Sequence, residues 1–247
     1  IEKSYENALH GQTGFEQVET DAVGRPVRTL SRVAPVAGND LTLSLDIGLQ
    51  QAAVQAFGDY RGALVALDPS NGEILAFVSK PGFDPNLFVD GIDHANWRLL
   101  NESIDRPLNN RALRGVYPPG STFKPFMALA GLELGKRSIR YAFNDPGFFS
   151  LPGSSHRFRD WKPGGHGWVD LRKSLVISCD TYYYMLAHDL GITNIHNFIG
   201  QFGFGREIGI DIPGEVRGLL PSPEWKKKRF KQNWLPGDTI SVGIGQG

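Results

Sequence analysis

Over the first forty residues apolar positions are short and scattered, with Val18, Val23 and Val27 set among polar and small residues, a pattern that predicts an extended β arm. Val33–Asp40 (VAPVAGND) reads as a linker, after which Leu41, Leu43 and Leu45 alternate with Thr42 and Ser44 as a strand does. Asp46 then stands as the cap of a helix whose apolar residues Leu49, Ala53 and Phe57 recur every four positions. Two strand-like runs, Ala63–Leu67 and Glu73–Ser79, flank Asp68-Pro-Ser-Asn-Gly72, a composition suited to a hairpin turn. A long polar loop through Asn86, Asn96, Asn101 and Asn109 is expected next. Beyond Pro118-Pro119-Gly120 the pattern turns helical: Phe123, Phe126, Met127, Ala130 and Leu134 share a face, and Gly135 marks the end. Two further helices are predicted over Leu171–Ile177 and Thr181–Leu190, the second stopped by Gly191. The chain therefore reads as mixed α/β: a hairpin from a sheet, packed with a largely helical insert.

Composition narrows the function class. Lys plus Arg and Asp plus Glu both total 26, so the chain lacks the basic excess that phosphate binding normally leaves, and nucleic acid is not an expected partner. The run Lys226-Lys227-Lys228-Arg229 with Lys231 reads as a solvated helix face. Cys179 is the single cysteine, which excludes an intrachain disulfide. No run approaches the 18 or so consecutive apolar residues that a membrane span needs. The chain starts at Ile1 in an amphipathic stretch and stops in Gly-Ile-Gly-Gln-Gly247, so both ends read as cut, with an anchor or signal expected outside them.

Ser121-Thr-Phe-Lys124 is the tetrad that can carry chemistry. At a helix start, residues three apart share a face, so the Lys124 amine is expected within hydrogen-bond reach of the Ser121 hydroxyl. A buried amine gives up part of its preference for the charged form and can accept a proton. Ser178-Cys-Asp180, 57 positions later, lies at a junction between two predicted helices. There the Ser178 hydroxyl and the Asp180 carboxylate could face a cleft, relaying protons and orienting Lys124, with Ser178 close to the nucleophile and Asp180 turned toward a neighbouring helix or loop. Taken singly, each motif also has a bland reading as helix capping, with Asp180 or Thr181 as cap. Asp145, Asp160, His166 and Cys179, all within 35 positions, offer two carboxylates, an imidazole and a thiol, a donor set zinc accepts in a closed tetrahedral site. Each again has an ordinary role, as turn former, cap, loop residue or small core residue. The other histidines, at 10, 94, 156, 188 and 196, form no comparable group.

Together, Ser-x-x-Lys and Ser-x-Asp match part of the signature of penicillin-binding proteins and serine β-lactamases. The approach Arg111-Ala-Leu-Arg-Gly-Val-Tyr-Pro-Pro-Gly-Ser121 resembles that of class B penicillin-binding proteins. So do Tyr5-Glu6 through Gly14, Asp84-Pro-Asn-Leu-Phe-Val-Asp-Gly91, Arg159-Asp-Trp-Lys162 and Gly237-Asp-Thr239 through Gly247. The combination is similar to the elongation-type enzyme, the peptidoglycan D,D-transpeptidase of the rod-shape machinery.

That resemblance implies the penicilloyl-serine transferase fold, an antiparallel sheet with a helical subdomain, here truncated at its C-terminal part and preceded by a short β arm from a pedestal domain. Residues 1–40 would end the pedestal or dimerisation domain, and 41–247 would be the N-terminal portion of the transpeptidase domain. Ser121 would be acylated by a stem peptide or a β-lactam, with Lys124 as base and Ser178 and Asp180 passing protons to the leaving group. No cofactor is implied for catalysis; a structural zinc on Asp145, Asp160, His166 and Cys179 is, since some elongation-type relatives carry the same pattern. The implied partners are peptidoglycan stem peptides, β-lactam antibiotics, and the membrane glycosyltransferase and rod-shape proteins of the elongation machinery. The implied location is the periplasmic face of a Gram-negative inner membrane, held by an N-terminal helix absent from this chain. The chain departs from the family in containing no Lys-Thr-Gly or Lys-Ser-Gly, so residues 1–247 alone are expected to bind penicillin poorly. A serine β-lactamase and a penicillin-sensing binding module remain the competing readings.

Overall fold

The computed structural model describes all 247 residues, in two units: Ile1–Gly115 with Gly209–Val216, and Val116–Ile208 with Arg217–Gly247. In the first unit a short helix, α1 (Glu6–Leu9), precedes an antiparallel ribbon of β1 (Phe15–Thr20) and β2 (Pro26–Val33), in which every residue is exposed. This is the expected arm. The strand expected at Leu41–Leu45 does not form. The segment touches its neighbour through the Ser44 hydroxyl, which donates to the Ile74 carbonyl, and the Asp46 amide, which donates to Leu75, and two such bonds do not make a ladder. Asp46 does cap α2 (Ile47–Phe57), its carboxylate accepting from the Leu49 amide at 2.8 Å. Next, β3 (Gly62–Leu67) and β4 (Ile74–Lys80) pair antiparallel, Ala63 facing Ser79 and Val65 facing Phe77. Their turn closes on Asp68, whose carboxylate accepts from the Ser70 amide and hydroxyl, while Gly72 takes the positive φ of +81° that a side chain would resist. The polar loop expected beyond contains α3 (His94–Glu102), which Asp93 caps by accepting from the Ala95 and Asn96 amides, and α4 (Arg111–Arg114), capped by Asn110.

The second unit holds the buried core. A 3-10 turn over Gly120–Phe123 runs straight into α5 (Lys124–Glu133), and Gly135, at φ +66°, ends it as expected. Two small antiparallel pairs follow: β5 (Ala142–Asp145) with β8 (Gly167–Asp170), and β6 (Phe148–Phe149) with β7 (Phe158–Arg159). Then come α6 (Leu171–Val176) and the long α7 (Asp180–Ile199). Gly191 leaves helical geometry (φ 73°, ψ 154°) and ends the first helical stretch of α7 as expected; a second stretch follows to Ile199, with Ile195 and Ile199 fully buried. Finally α8 (Pro223–Phe230) carries the basic run, with Lys227, Lys228 and Arg229 exposed, and α9 (Pro236–Val242) packs on α7. The core gathers Met127 and Ala130 from α5, Tyr182, Tyr183, Leu186, Ala187 and Leu190 from α7, and Ile240 from α9. No helix of the chain is long and apolar enough to cross a membrane.

Candidate active site

Both motifs sit where three elements meet inside the second unit. Ser121 lies in the 3-10 turn and is exposed, whereas Lys124, the first residue of α5, points inward with its side chain 1% exposed. Ser178 occupies the tight link between α6 and α7 and takes a left-handed φ of +54°, which a non-glycine residue adopts only when its surroundings hold it. Cys179 and Asp180 follow at the start of α7.

Ser178 Oγ stands between the other two groups. It donates to Ser121 Oγ at 2.8 Å and accepts from Lys124 Nζ at 3.0 Å. The amine also donates to the Ser178 carbonyl at 2.9 Å and to Asp180 Oδ1 at 2.6 Å, and lies 5.6 Å from the centre of the Tyr183 ring. One expectation from spacing is thereby corrected: Lys124 makes no direct hydrogen bond to Ser121, and Ser178 Oγ bridges the two. Asp180 turns, as expected, toward a neighbouring helix, where it meets Lys124 at the start of α5. A buried amine gains most from a carboxylate, because the charge-assisted bond offsets more of its desolvation.

The second cluster lies on the far side of the same link. The donor atoms of Asp145, Asp160, His166 and Cys179 all lie within 4.8 Å of one another. Both carboxylate side chains are 0% exposed, and their one ion-pair partner is His166, whose Nδ1 lies 2.9 Å from Asp145 Oδ2 and 3.5 Å from Asp160 Oδ1. Cys179 Sγ is 3.6 Å from Asp145 Oδ2. Burial opposes ionisation of Asp145, but hydrogen bonds from the Gly147 amide and from the His166 ring and amide outweigh it and hold its carboxyl below the ordinary range. Burial first, and then the Asp160 and Asp145 charges, push the Cys179 thiol far up, so it stays protonated unless a cation joins the group. A tetrahedral ion with arms of about 2.0–2.3 Å sets neighbouring ligand atoms roughly 3.3–3.8 Å apart; the 3.6 Å Cys179–Asp145 and 3.5 Å His166–Asp160 separations fall in that frame, while the 2.9 Å His166–Asp145 contact is the shorter distance of a direct hydrogen bond. Asp160 has a second task that spacing hid: Oδ2 accepts from the Thr181 amide at 3.0 Å and hydroxyl at 3.2 Å, so α7 is capped from a loop 21 residues upstream.

Sequence reasoning passed over two further residues here. Tyr183 lies one helical turn beyond Asp180, the i+3 spacing that brings its ring to Lys124. Gly245, at φ +70°, gives its carbonyl to the Gly120 amide at 2.9 Å and so steadies the turn that carries Ser121. An added Cβ there would lie 2.4 Å from the Gly120 carbonyl oxygen, which no real contact tolerates. Gly245→Ala is therefore expected to cost at least about 1–2 kcal/mol for the left-handed backbone alone. Thermal unfolding of the variant against wild type would show the loss.

Residues 62–247 match the penicillin-binding protein transpeptidase domain, and residues 1–43 the penicillin-binding protein dimerisation domain. The chain is 54% identical over its full length to the peptidoglycan D,D-transpeptidase MrdA of Acinetobacter baumannii, of which it covers 37%. Among solved structures, it superimposes with a TM-score of 0.86 on Pseudomonas aeruginosa PBP2 in complex with WCK 5153, at 47% identity, covering 99% of this chain and 50% of that one. PBP2 of Helicobacter pylori in complex with MreC gives a TM-score of 0.88 at 38% identity, covering 100% of this chain and 46% of that one. The chain thus spans about two fifths of its curated relatives' length. With a transpeptidase-domain match over three quarters of its residues and that identity along its whole length, the chain belongs to the penicillin-binding protein transpeptidase family.

Proposed function

We propose that this chain is the N-terminal portion (41–247) of a peptidoglycan D,D-transpeptidase domain, preceded by the end of a pedestal domain (1–40), and that Ser121 is its acylated nucleophile. The observation that carries the reading is the chain of contacts Ser121–Ser178–Lys124–Asp180. Ser121 Oγ attacks the carbonyl of the terminal D-Ala–D-Ala bond of a stem peptide. Its proton passes through Ser178 Oγ to Lys124, and Asp180 balances the ammonium so formed. The proton then returns along the same line to the departing D-Ala amine, and an amine of a neighbouring stem resolves the acyl-serine. A β-lactam enters by the same first step and leaves no amine free to diffuse away.

The same reading places the protein at the periplasmic face of a Gram-negative inner membrane, anchored by a helix outside this chain. A rod-shape partner is supported by the Helicobacter pylori relative, solved as a complex with MreC, and a membrane glycosyltransferase by a structural neighbour described as coordinating polymerization and crosslinking in a peptidoglycan synthase complex. Asp145, Asp160, His166 and Cys179 would hold one zinc ion. Its role would be to brace the link bearing Ser178 and Asp180; with four protein ligands it takes no part in the chemistry.

The test uses the full-length protein with un-cross-linked glycan strands. Cross-linked muropeptides that disappear on penicillin treatment are the expected product. Many-turnover hydrolysis of a chromogenic cephalosporin would instead make the protein a β-lactamase, and stoichiometric labelling without any cross-link would make it a sensor.

A further inference from the structure

We propose that Trp161 is a positioning residue for the proton relay, acting through its indole N–H on the peptide that precedes Ser178. The inference rests on the reading of Ser178 given above. Trp161 Nε1 donates to the Ile177 carbonyl at 3.1 Å. That carbonyl and the Ser178 amide are the two ends of one rigid peptide plane, so a bond that fixes the first restricts φ of Ser178. It is this φ, +54°, that aims the Ser178 hydroxyl at Ser121 and Lys124.

The Ser178 amide itself is weakly held, at 3.3 Å from the Leu175 carbonyl, so the indole supplies the shorter restraint. The neighbouring residue completes a clamp. Asp160 accepts from the Thr181 amide, and the dipeptide Asp160-Trp161 therefore grips the link on both sides, one bond before Ser178 and one after Asp180. The Trp161 ring in turn rests edge-on against His166, at 5.1 Å and 60°. Yet the side chain adds little to the core, because the residue is 61% exposed. An exposed tryptophan has water for its N–H; spending the donor on a strained turn is what marks it as a positioner.

The experiment replaces Trp161, in the full-length protein, with the sulfur isostere β-(3-benzothienyl)alanine, which keeps the ring's shape and removes the N–H, and compares Trp161→Phe. The acylation rate at saturating benzylpenicillin should fall about two- to tenfold, the factor carried by one ordinary hydrogen bond. The pre-covalent dissociation constant and zinc content should stay at wild-type values, and Tm should fall by no more than about 2–4 °C. In a Ser178→Ala background the isostere should cause no further loss, which a merely structural role would not predict. An unchanged acylation rate, or a change confined to the pre-covalent dissociation constant, would overturn the proposal. If Ser178→Ala itself acylates at the wild-type rate, the relay reading fails and this inference with it. If only the isostere is silent, the relay stands and the inference alone fails.

Discussion

Lys124→Ala in the full-length protein should slow acylation by benzylpenicillin by about a hundred- to ten-thousand-fold, the range a positioned proton acceptor supplies. Lys124 is the one amine in reach of Ser178 Oγ, and its removal leaves the relay with no terminus. It also strips Asp180 of its partner at a site where that side chain is only 17% exposed. Breaking a buried pair from one side costs about 3–5 kcal/mol, and Asp180, being less than fully buried, should sit at the low end. The rate and the stability effects are separated by Asp180→Asn, which keeps a hydrogen-bond acceptor for the amine. That variant should recover most of the thermal stability and lose activity only in part. An Asp180→Asn protein as inert as Lys124→Ala would mean that the carboxylate does more than hold the amine.

Removal of the metal should lower stability first and acylation second. Purified wild-type protein is expected to carry close to one equivalent of zinc, and Cys179→Ser less than a tenth. Two carboxylates with no exposed side-chain surface then face a single imidazole. If the metal's net contribution resembles that of a buried charge pair, about 3 kcal/mol, Tm should fall by roughly 6–12 °C for a domain of this size. Chelator treatment of wild type should give the same shift without any substitution. Acylation should slow only modestly, because the four residues that would hold the ion include neither Ser121 nor Lys124; through Cys179 it would brace the link between α6 and α7. Zinc below a tenth of an equivalent in wild type, with Tm indifferent to chelator, would leave the cluster as a hydrogen-bonded core in which His166 and the Gly147 amide answer Asp145.

What the sequence made legible was local. The Asp46 cap, the Asp68–Gly72 turn and the helix ended by Gly135 each depend on residues within a few positions, so composition and period reveal them. The four donors of the second cluster were singled out only with the help of the family resemblance, since the same stretch also holds Asp170 and His156. Nonlocal geometry was not legible. Ser178 Oγ stands between Ser121 and Lys124, a placement set by the α6–α7 link that the i, i+3 spacing does not encode. Asp160 caps α7 across 21 residues, and Gly245 meets Gly120 across the length of the unit. The helix α3 was read as loop because it buries no residue, leaving the Asp93 cap as its one clear mark. At Leu41–Leu45 the alternation was real, but no ladder receives it.

The central claim, that Ser121 is the acylated nucleophile, is tested most directly by intact-protein mass spectrometry with peptide mapping after benzylpenicillin treatment of the full-length protein. The account predicts one added penicilloyl group per molecule, mapped to the peptide bearing Ser121, and none in Ser121→Ala of unchanged Tm. A stoichiometric adduct on another residue, or full labelling of the Ser121→Ala protein, would contradict it.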